Sequence, residues 1–246
     1  MLEFTLNQAV SVDKVESPNF DVPIYVIDNF LANPEALVDY ANTKAYFGEV
    51  GADRTAYPGI RDRLPRPYDR VLESVLDLVY GNRSPSVHRC MLSLTTLSPK
   101  QLQNAQKIPH VDTFAEGQFA AVHYLCDESH GGTAFYRYLP RNIYRLHDKD
   151  KPIIKEMIQG VRDYPDEHAG YLTGNTNLFR QEVLIKAKFN RLVLYPSNVL
   201  HCAQLDSGDS YRADVNSGRL SVASFFELAP VLHQQNSVMA RPTLVS

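Results

Sequence analysis

The sequence predicts a mainly β fold with flanking helices, namely a double-stranded β-helix, or jelly roll, with amino-terminal helices packed on it. Three observations predict this class. Two amphipathic helical patterns precede residue 84, eight short strand-like segments follow from His88 onward, and polar turn clusters separate most of these segments. Strands joined without helical crossovers pair in antiparallel ladders, which is the arrangement of a jelly roll.

The length and composition are those of an ordinary globular chain. It has 246 residues, of which 44% are hydrophobic and 22% are charged. All-β domains of this length are often single units. We expect one domain over residues 1–246. It comprises a helical support at 1–84, a jelly-roll core at 85–228 with an insertion at 141–180, and a tail at 229–246.

Charge and cysteine usage exclude several classes of partner. The net charge of −3 and the lack of basic runs argue against nucleic acid. Three widely spaced cysteines without a CxxC argue against a disulfide scaffold and a structural zinc site, and favour a reducing cytoplasm. The start, Met1–Phe4, does not resemble a signal peptide. The longest apolar stretch, Phe119–Cys126, is too short to span a bilayer, so we expect no membrane partner.

The amino-terminal part begins with a short strand, Ile24–Phe30. Asn33 is then expected to cap a helix that Pro34 opens, because Asn is favoured at the N-cap and Pro in the first turn. The segment Tyr57–Arg61 contains a Pro-Gly pair and is interpreted as a loop.

A second helix follows from one apolar stripe with helical spacing. Gly81 lies where a glycine commonly ends a helix. The stripe consists of Tyr68, Val71, Leu72, Val75, Leu76 and Val79.

The remaining chain is rich in β-branched and aromatic residues between turn clusters such as Ser129–Gly132. A helical pattern over Asp150–Val161 interrupts it, and we interpret Arg141–Arg180 as an insertion between barrel strands, a candidate lid. The predicted strands are Cys90–Leu97, Ile108–Phe114, Phe119–Cys126, Thr133–Tyr138, Val183–Ile185, Leu192–Tyr195, Val199–Ala203 and Leu220–Leu228.

His110 and Asp112 are two residues apart in a predicted strand, so their side chains should share one face. His201 follows a strand and a tight turn further on. Each of these residues alone is weak evidence, because a His-x-acid triplet is common and a lone histidine is more often part of a core. Together they supply two imidazoles and one carboxylate, the ligand set of non-haem iron(II) oxygenases.

Arg219 and Ser221 lie on one face of the last predicted strand. A guanidinium binds a carboxylate through two parallel hydrogen bonds, so Arg219 suits an anionic cosubstrate. Of the neighbours His123 and Tyr124, strand alternation turns one inward, and we expect that one to be Tyr124. Arg61 is either a substrate contact or part of a structural turn.

In order along the chain, His110-x-Asp112, Tyr124-Leu125, Gly131-Gly132-Thr133, His201 and Arg219-x-Ser221 resemble the motifs of the iron(II)/2-oxoglutarate-dependent oxygenases. The order is most similar to that of their prolyl-4-hydroxylase-like branch. The stretches 57–61 and 190–201 also resemble an uncharacterised bacterial group of that superfamily. The resemblance covers about residues 85 to 228.

The resemblance implies a role for each matching residue. His110, Asp112 and His201 would bind iron(II). Arg219 would pair with the distal carboxylate of 2-oxoglutarate, with Ser221 or Tyr124 donating a further hydrogen bond. With O2, the reaction would give succinate, CO2 and a hydroxylated small-molecule or amino-acid-like substrate.

Two alternatives stay open on the sequence alone. Arg212 is a rival for the cosubstrate carboxylate, although it lies in a polar, loop-like segment. A cupin-like metal-binding or sensing module without oxygenase activity is the second alternative, although the chain lacks the His-x-His pair usual in cupins. Because Asp112 is present, halogenation is disfavoured. The oligomeric state does not follow from the sequence.

Overall fold

A computed structural model describes residues 3–17, 20–81, 83–205 and 208–229, and the predicted tail at 229–246 lies almost wholly outside the described residues. Within these ranges the chain forms three α-helices and ten strands. The helices are α1 Glu35–Thr43, α2 Pro67–Tyr80 and α3 Lys151–Asp163. The strands are β1 Ser11–Lys14, β2 Tyr25–Asp28, β3 Gly59–Arg63, β4 Pro85–Thr95, β5 Gln118–Tyr124, β6 Gly132–Tyr138, β7 Phe179–Lys186, β8 Arg191–Pro196, β9 His201–Gln204 and β10 Leu220–Leu228.

The strands form two open antiparallel sheets. The larger sheet has the order β1-β2-β8-β5-β10-β4-β3, and the smaller has the order β7-β6-β9. Every ladder in both sheets is antiparallel. The predicted class of a mainly β fold with flanking helices is therefore confirmed.

Helices α1 and α2 pack on the outer face of the larger sheet. Tyr68, Leu72 and Val75 of α2 are fully buried, in one cluster with Leu92 of β4 and Val222 of β10. Each such side chain removed from water stabilises the fold by about 1.5–3 kcal/mol. The predicted stripe of α2 is thus the face that holds the amino-terminal part on the sheet. No helix in the described ranges is both long and apolar enough to cross a membrane.

The neighbours His123 and Tyr124 face opposite sides of the larger sheet, as alternation requires. His123 is buried against the helices, where its ring nitrogens lie 3.2 Å from the Tyr68 hydroxyl and 3.2 Å from Asn190 Oδ1. Burial lowers the pKa of His123 to about 3, so this imidazole is neutral. Tyr124 points between the two sheets, which confirms the expected orientation.

The prediction of a strand at Ile108–Phe114 is wrong. Only His110 makes an isolated bridge there, to His201. Pro109 has no N–H to donate, and the Asp112 N–H turns to the Ser197 carbonyl at 2.8 Å instead of continuing a ladder. The segment is a loop that crosses the end of β9.

The predicted loop around Gly59 is also wrong in part, since Gly59–Arg63 forms the edge strand β3. Gly59 pairs with Thr95 of β4. A Cβ at Gly59 would lie 2.1 Å from the Leu94 carbonyl oxygen, so this pairing requires glycine. The pairing depends on a partner strand more than thirty residues away, which local sequence does not reveal.

The start of α1 differs from the prediction as well. The N-cap is Pro34, without a side-chain cap. The Asn33 amide instead donates to the Glu3 carbonyl at 3.3 Å and ties down the amino-terminal segment. Gly81 ends α2 with φ of 65°, as the sequence predicts.

The segment between β6 and β7 corresponds to the predicted insertion and contains α3. Met157 and Val161 of α3 are buried in one cluster with Ile108, Tyr136 and Tyr138. The insertion therefore packs on the smaller sheet and on the loop that carries His110.

Candidate functional site

Reciprocal main-chain hydrogen bonds bring His110 and His201 together. The His110 N–H donates to the His201 carbonyl at 2.8 Å, and the His201 N–H donates to the His110 carbonyl at 2.9 Å. The two imidazole centroids lie 4.4 Å apart. These main-chain hydrogen bonds therefore hold His110 beside His201, which is the first residue of β9.

Asp112 completes a group of three potential metal ligands. Its Oδ1 lies 3.7 Å from His110 Nε2, and its Oδ2 lies 3.6 Å from His201 Nε2. One ligand atom from each of the three residues lies within 4.8 Å of the other two. Within the described residues, no second group of three histidine, cysteine or acidic side chains meets this condition.

The ring of His201 is oriented for metal binding. Its Nδ1 lies 2.9 Å from the Val199 carbonyl, so Nδ1–H donates there and Nε2 keeps its lone pair. Burial lowers the pKa of His201 to about 4, despite the opposing influence of Asp112, so the ring is neutral at neutral pH. A neutral imidazole is the form that binds a metal.

Asp112 and His110 differ from His201 in exposure. The His110 side chain is 54% exposed and that of Asp112 is 17% exposed, although Asp112 as a residue is exposed through its main chain. Burial would raise the pKa of the Asp112 carboxyl, but the imidazoles of His201 and His110 and the Arg61 guanidinium lower it below its ordinary value. The carboxylate is therefore ionised and open to a ligand cavity.

Arg219 lies buried at 3% exposure near the same group. Its Nη2 donates to the Gly132 carbonyl at 3.2 Å, and its Nε is buried without a hydrogen-bond partner. The guanidinium makes no ion pair with a carboxylate of the described residues. A guanidinium stays charged in proteins, so an unpaired buried one is a candidate anion-binding group.

Arg212 is placed differently from Arg219. It is exposed, and it does not belong to the described residues that line the cavity with the three potential ligands. Its position agrees with the polar loop expected from the sequence.

Ser221 and Tyr124 stand opposite each other on adjacent strands. Ser221 lines the cavity, whereas Tyr124 is fully buried behind it. The Tyr124 hydroxyl lies 2.6 Å from Thr133 Oγ1, and Thr133 lines the cavity. Thr133 is part of the motif Gly131-Gly132-Thr133, but the sequence assigned it no role in the site.

The three potential metal ligands, Arg219, Ser221 and Thr133 open on one cavity of about 680 Å³ between the sheets. Its polar part holds His110, Asp112, His201 and Arg219. Its apolar part is formed by side chains of the larger sheet and of α3, including Val122, Ala223, Phe225, Ile154 and Ile158. This volume lies within the range of small-molecule binding sites.

Arg61 lies on β3 and also lines the cavity. Its Nη1 donates to Asp53 Oδ2 at 3.2 Å and to Thr55 Oγ1 at 3.3 Å. The guanidinium carbon lies 3.9 Å from the centroid of the Tyr57 ring. Asp53, Thr55 and Tyr57 therefore fix the Arg61 side chain in the cavity wall. Arg61 lies on a strand and not in a turn.

Comparison with known proteins identifies the family. The model of DUF6445, a family of unknown function, matches residues 8–226. The chain belongs to this family. The description of DUF6445 names no reaction.

Among solved structures, this DUF6445 chain is similar to a novel N-substituted L-amino acid dioxygenase from Burkholderia ambifaria AMMD, with 10% identity and a TM-score of 0.39 over 84% of this chain and 86% of that one. It is also similar to EvdMO1, with 12% identity and a TM-score of 0.38 over 90% of this chain and 55% of that one. At such scores the likeness carries no argument about the reaction. No curated protein matches the chain.

Proposed function

We propose that this protein is a non-haem iron(II)/2-oxoglutarate-dependent dioxygenase that hydroxylates an unactivated C–H bond of a small-molecule or amino-acid-like substrate. One observation carries the proposal. The buried Arg219 guanidinium has no carboxylate partner among the described residues and lines the same cavity as His110, Asp112 and His201. A bound dicarboxylate would supply the missing counter-charge.

The three ligand side chains fit iron(II). Two neutral imidazoles and one carboxylate are the donor set of non-haem iron(II) oxygenases and leave coordination positions free for other ligands. His110, Asp112 and His201 would hold the ion. When bound, iron(II) with 2-oxoglutarate and O2 supplies the oxidising power that turns a C–H bond into C–OH, with succinate and CO2 as coproducts. The presence of Asp112 disfavours halogenation.

The chain's own side chains would bind and orient the cosubstrate. Arg219 would pair with its distal carboxylate through two hydrogen bonds, one of them from the unpartnered Nε. Ser221 and Thr133 lie on the cavity wall and would add hydroxyl contacts. Tyr124 would act through Thr133, since the two hydroxyls are 2.6 Å apart.

We further propose that the two sheets are the halves of a jelly roll of the prolyl-4-hydroxylase-like kind. The candidate site lies between them, with His201 on the smaller sheet and Arg219 beside the larger one. The three cysteines are free and buried, which favours a reducing compartment, and we propose the cytoplasm. Neither nucleic acid nor a membrane is proposed as a partner.

The test is an anaerobic titration of the full chain with iron(II) and then with 2-oxoglutarate, followed by visible absorption. We expect the weak charge-transfer band of the iron-bound 2-oxo acid in the wild type. The band should be absent in Asp112→Ala and in His201→Ala, because each variant loses one of three protein ligands. Asp163→Ala on the exposed side of α3 is the matched control and should keep the band.

Two results would contradict the proposal. A band that persists in Asp112→Ala would show that this carboxylate is not a ligand. Tight iron binding without any band in the wild type would leave a cupin-like metal-binding or sensing module without oxygenase activity.

A further inference from the structure

The cavity holds two arginines with the same unusual feature. Arg61 and Arg219 each have a buried Nε without a hydrogen-bond partner, and no other described residue of the cavity wall has a buried side-chain polar atom in that state. A buried donor left unsatisfied is unfavourable unless a ligand completes its hydrogen bonding. The proposed cosubstrate accounts for Arg219 and leaves Arg61 without an explanation.

Arg61 is held in place by neighbours that leave part of its guanidinium free. Both of its hydrogen bonds, to Asp53 and to Thr55, are made by Nη1. Its plane is supported by Tyr57, and its side chain is only 11% exposed. A fixed guanidinium with an unused Nε is a prepared site for a planar oxyanion, because little conformational entropy is lost on binding.

The charges of the cavity favour a substrate with one negative charge. Asp112 is the one acidic residue among the described lining residues, which also include Arg61, Arg89 and Arg219. In the proposed complex, iron(II), Asp112, 2-oxoglutarate and Arg219 neutralise one another, and Asp53 offsets Arg61. One net positive charge then remains in the cavity wall, and Arg61 and Arg89 are the two candidate partners for a substrate anion.

An apolar wall continues from Arg61 along the sheet. Arg61 pairs with Ser93, and Ser93 pairs with Ser221. Ala223 and then Phe225 follow Ser221 on the same face, each roughly 7 Å further along the strand. Ala223 and Phe225 line the cavity, and Ile158 of α3 also contributes to its wall.

We propose that the prime substrate is an amphipathic monocarboxylate whose carboxylate binds Arg61 and whose apolar part packs on Ala223, Phe225 and Ile158. This inference rests on the proposed function, since it names the substrate of that enzyme. Arg89 is the less suitable partner. It is half-buried with its guanidinium 4.6 Å from the centroid of the Phe225 ring, and none of its nitrogens is buried without a partner.

The experiment measures binding to the metal-free full chain and needs no turnover. Straight-chain carboxylates of four to eight carbons, with hexanoate as the reference, are titrated by ligand-observed NMR beside their uncharged primary amides. The proteins are the wild type, Arg61→Met, the matched control Arg89→Met, and Arg219→Met, which removes the other anion-binding arginine. Thermal unfolding verifies that each variant is folded.

We expect hexanoate to bind the wild type at least tenfold more tightly than hexanamide. Arg61→Met should abolish this preference and weaken hexanoate at least tenfold, because a carboxylate would lose its charged partner. Arg89→Met should change hexanoate affinity less than threefold, and any loss in Arg219→Met should be smaller than the loss in Arg61→Met. If Arg61→Met does not fold, Arg61→Lys keeps a cation for Asp53 and should still weaken hexanoate more than threefold, since an ammonium lacks the fork.

Several outcomes would overturn the inference. These are equal binding of acid and amide, loss of hexanoate through Arg219→Met or Arg89→Met instead of Arg61→Met, or no binding of any of these acids at 10 mM. The proposed function is judged separately, by the iron and 2-oxoglutarate band. A missing band together with Arg61-dependent hexanoate binding would contradict the proposed oxygenase function and leave a carboxylate-binding cavity.

Discussion

A buried guanidinium lies beside each end of β6. A carboxylate of the chain pairs with one of them, whereas no carboxylate of the described residues pairs with the other. At the far end, Arg137 Nε donates to Glu182 Oε1 at 2.6 Å, and the two side chains are 9% and 7% exposed. At the near end, Arg219 donates to the Gly132 carbonyl at 3.2 Å, and its Nε has no partner.

The difference separates a cation that the fold itself neutralises from one that we propose to bind a ligand. Both arginines are buried, so burial alone does not distinguish them. What distinguishes them is the counter-charge, which β7 supplies to Arg137 and which no described carboxylate supplies to Arg219. A buried charge without a partner is expensive, so the second arrangement is expected where a ligand completes it.

The largest expected effect is at the incomplete end. Arg219→Ala should weaken 2-oxoglutarate binding to the iron-loaded protein by about 2–5 kcal/mol, because the distal carboxylate would be left unpaired. That range is roughly tens- to thousands-fold in affinity. Arg219→Lys should also impair binding, since a point charge cannot make two parallel hydrogen bonds. Titration of the charge-transfer band measures both variants.

The control for this prediction is stability. Arg219→Met keeps apolar bulk and removes an unpaired charge, so its free energy of unfolding should fall by less than about 1 kcal/mol or should rise. Unchanged affinity in Arg219→Lys and Arg219→Ala would contradict the assignment and return attention to Arg212.

A substitution of Arg137, at the paired end of β6, should lower the stability of the fold and leave ligand binding unchanged. Arg137→Met leaves the buried Glu182 carboxylate with Arg180 alone, whose Nη2 lies 2.9 Å away but whose side chain is 48% exposed. We expect a loss of about 3 kcal/mol in the free energy of unfolding, the low end of the range for a broken buried pair, because Arg180 remains. Urea unfolding measures the loss, and iron and 2-oxoglutarate binding at 10 °C should be unchanged.

A double replacement sharpens this result. Arg137→Met combined with Glu182→Leu removes both charges and should regain much of the lost stability, since apolar pairs often replace buried ion pairs without cost. If Arg137→Met alone is as stable as the wild type, the pair at this end is not structural and the contrast between the two ends fails.

Local sequence predicts the parts of this fold that local physics determines. The stripe of α2 and the glycine after it follow from helical spacing, and the opposite orientations of His123 and Tyr124 follow from strand alternation. The edge strand β3 and the loop at His110 depend instead on partners distant in sequence. Gly59 is required by the Leu94 carbonyl, and the Asp112 N–H is taken by Ser197.

The candidate site also has one part that the sequence predicts and another part that depends on packing. The residue types and order of His110, Asp112 and His201 suffice to predict that they meet, even though the strand assumed for the first two is absent. The unsatisfied Nε atoms of Arg61 and Arg219 are invisible to sequence, because a missing hydrogen-bond partner is a property of the packed chain.

The smallest expected effect concerns the hydroxyl pair near the start of β6. Tyr124→Phe removes a hydroxyl that lies behind the cavity wall, so 2-oxoglutarate affinity should change less than about threefold, with a stability loss of about 0.5–1.5 kcal/mol for one hydrogen bond. Thr133→Val removes the hydroxyl that lines the cavity and also leaves the buried Tyr124 hydroxyl unsatisfied, at about 1–3 kcal/mol. Only the Thr133 variant should lower 2-oxoglutarate affinity severalfold. A larger loss of affinity in Tyr124→Phe than in Thr133→Val would mean that Tyr124 contacts the cosubstrate directly, as the motif resemblance implies, and that Thr133 only supports it.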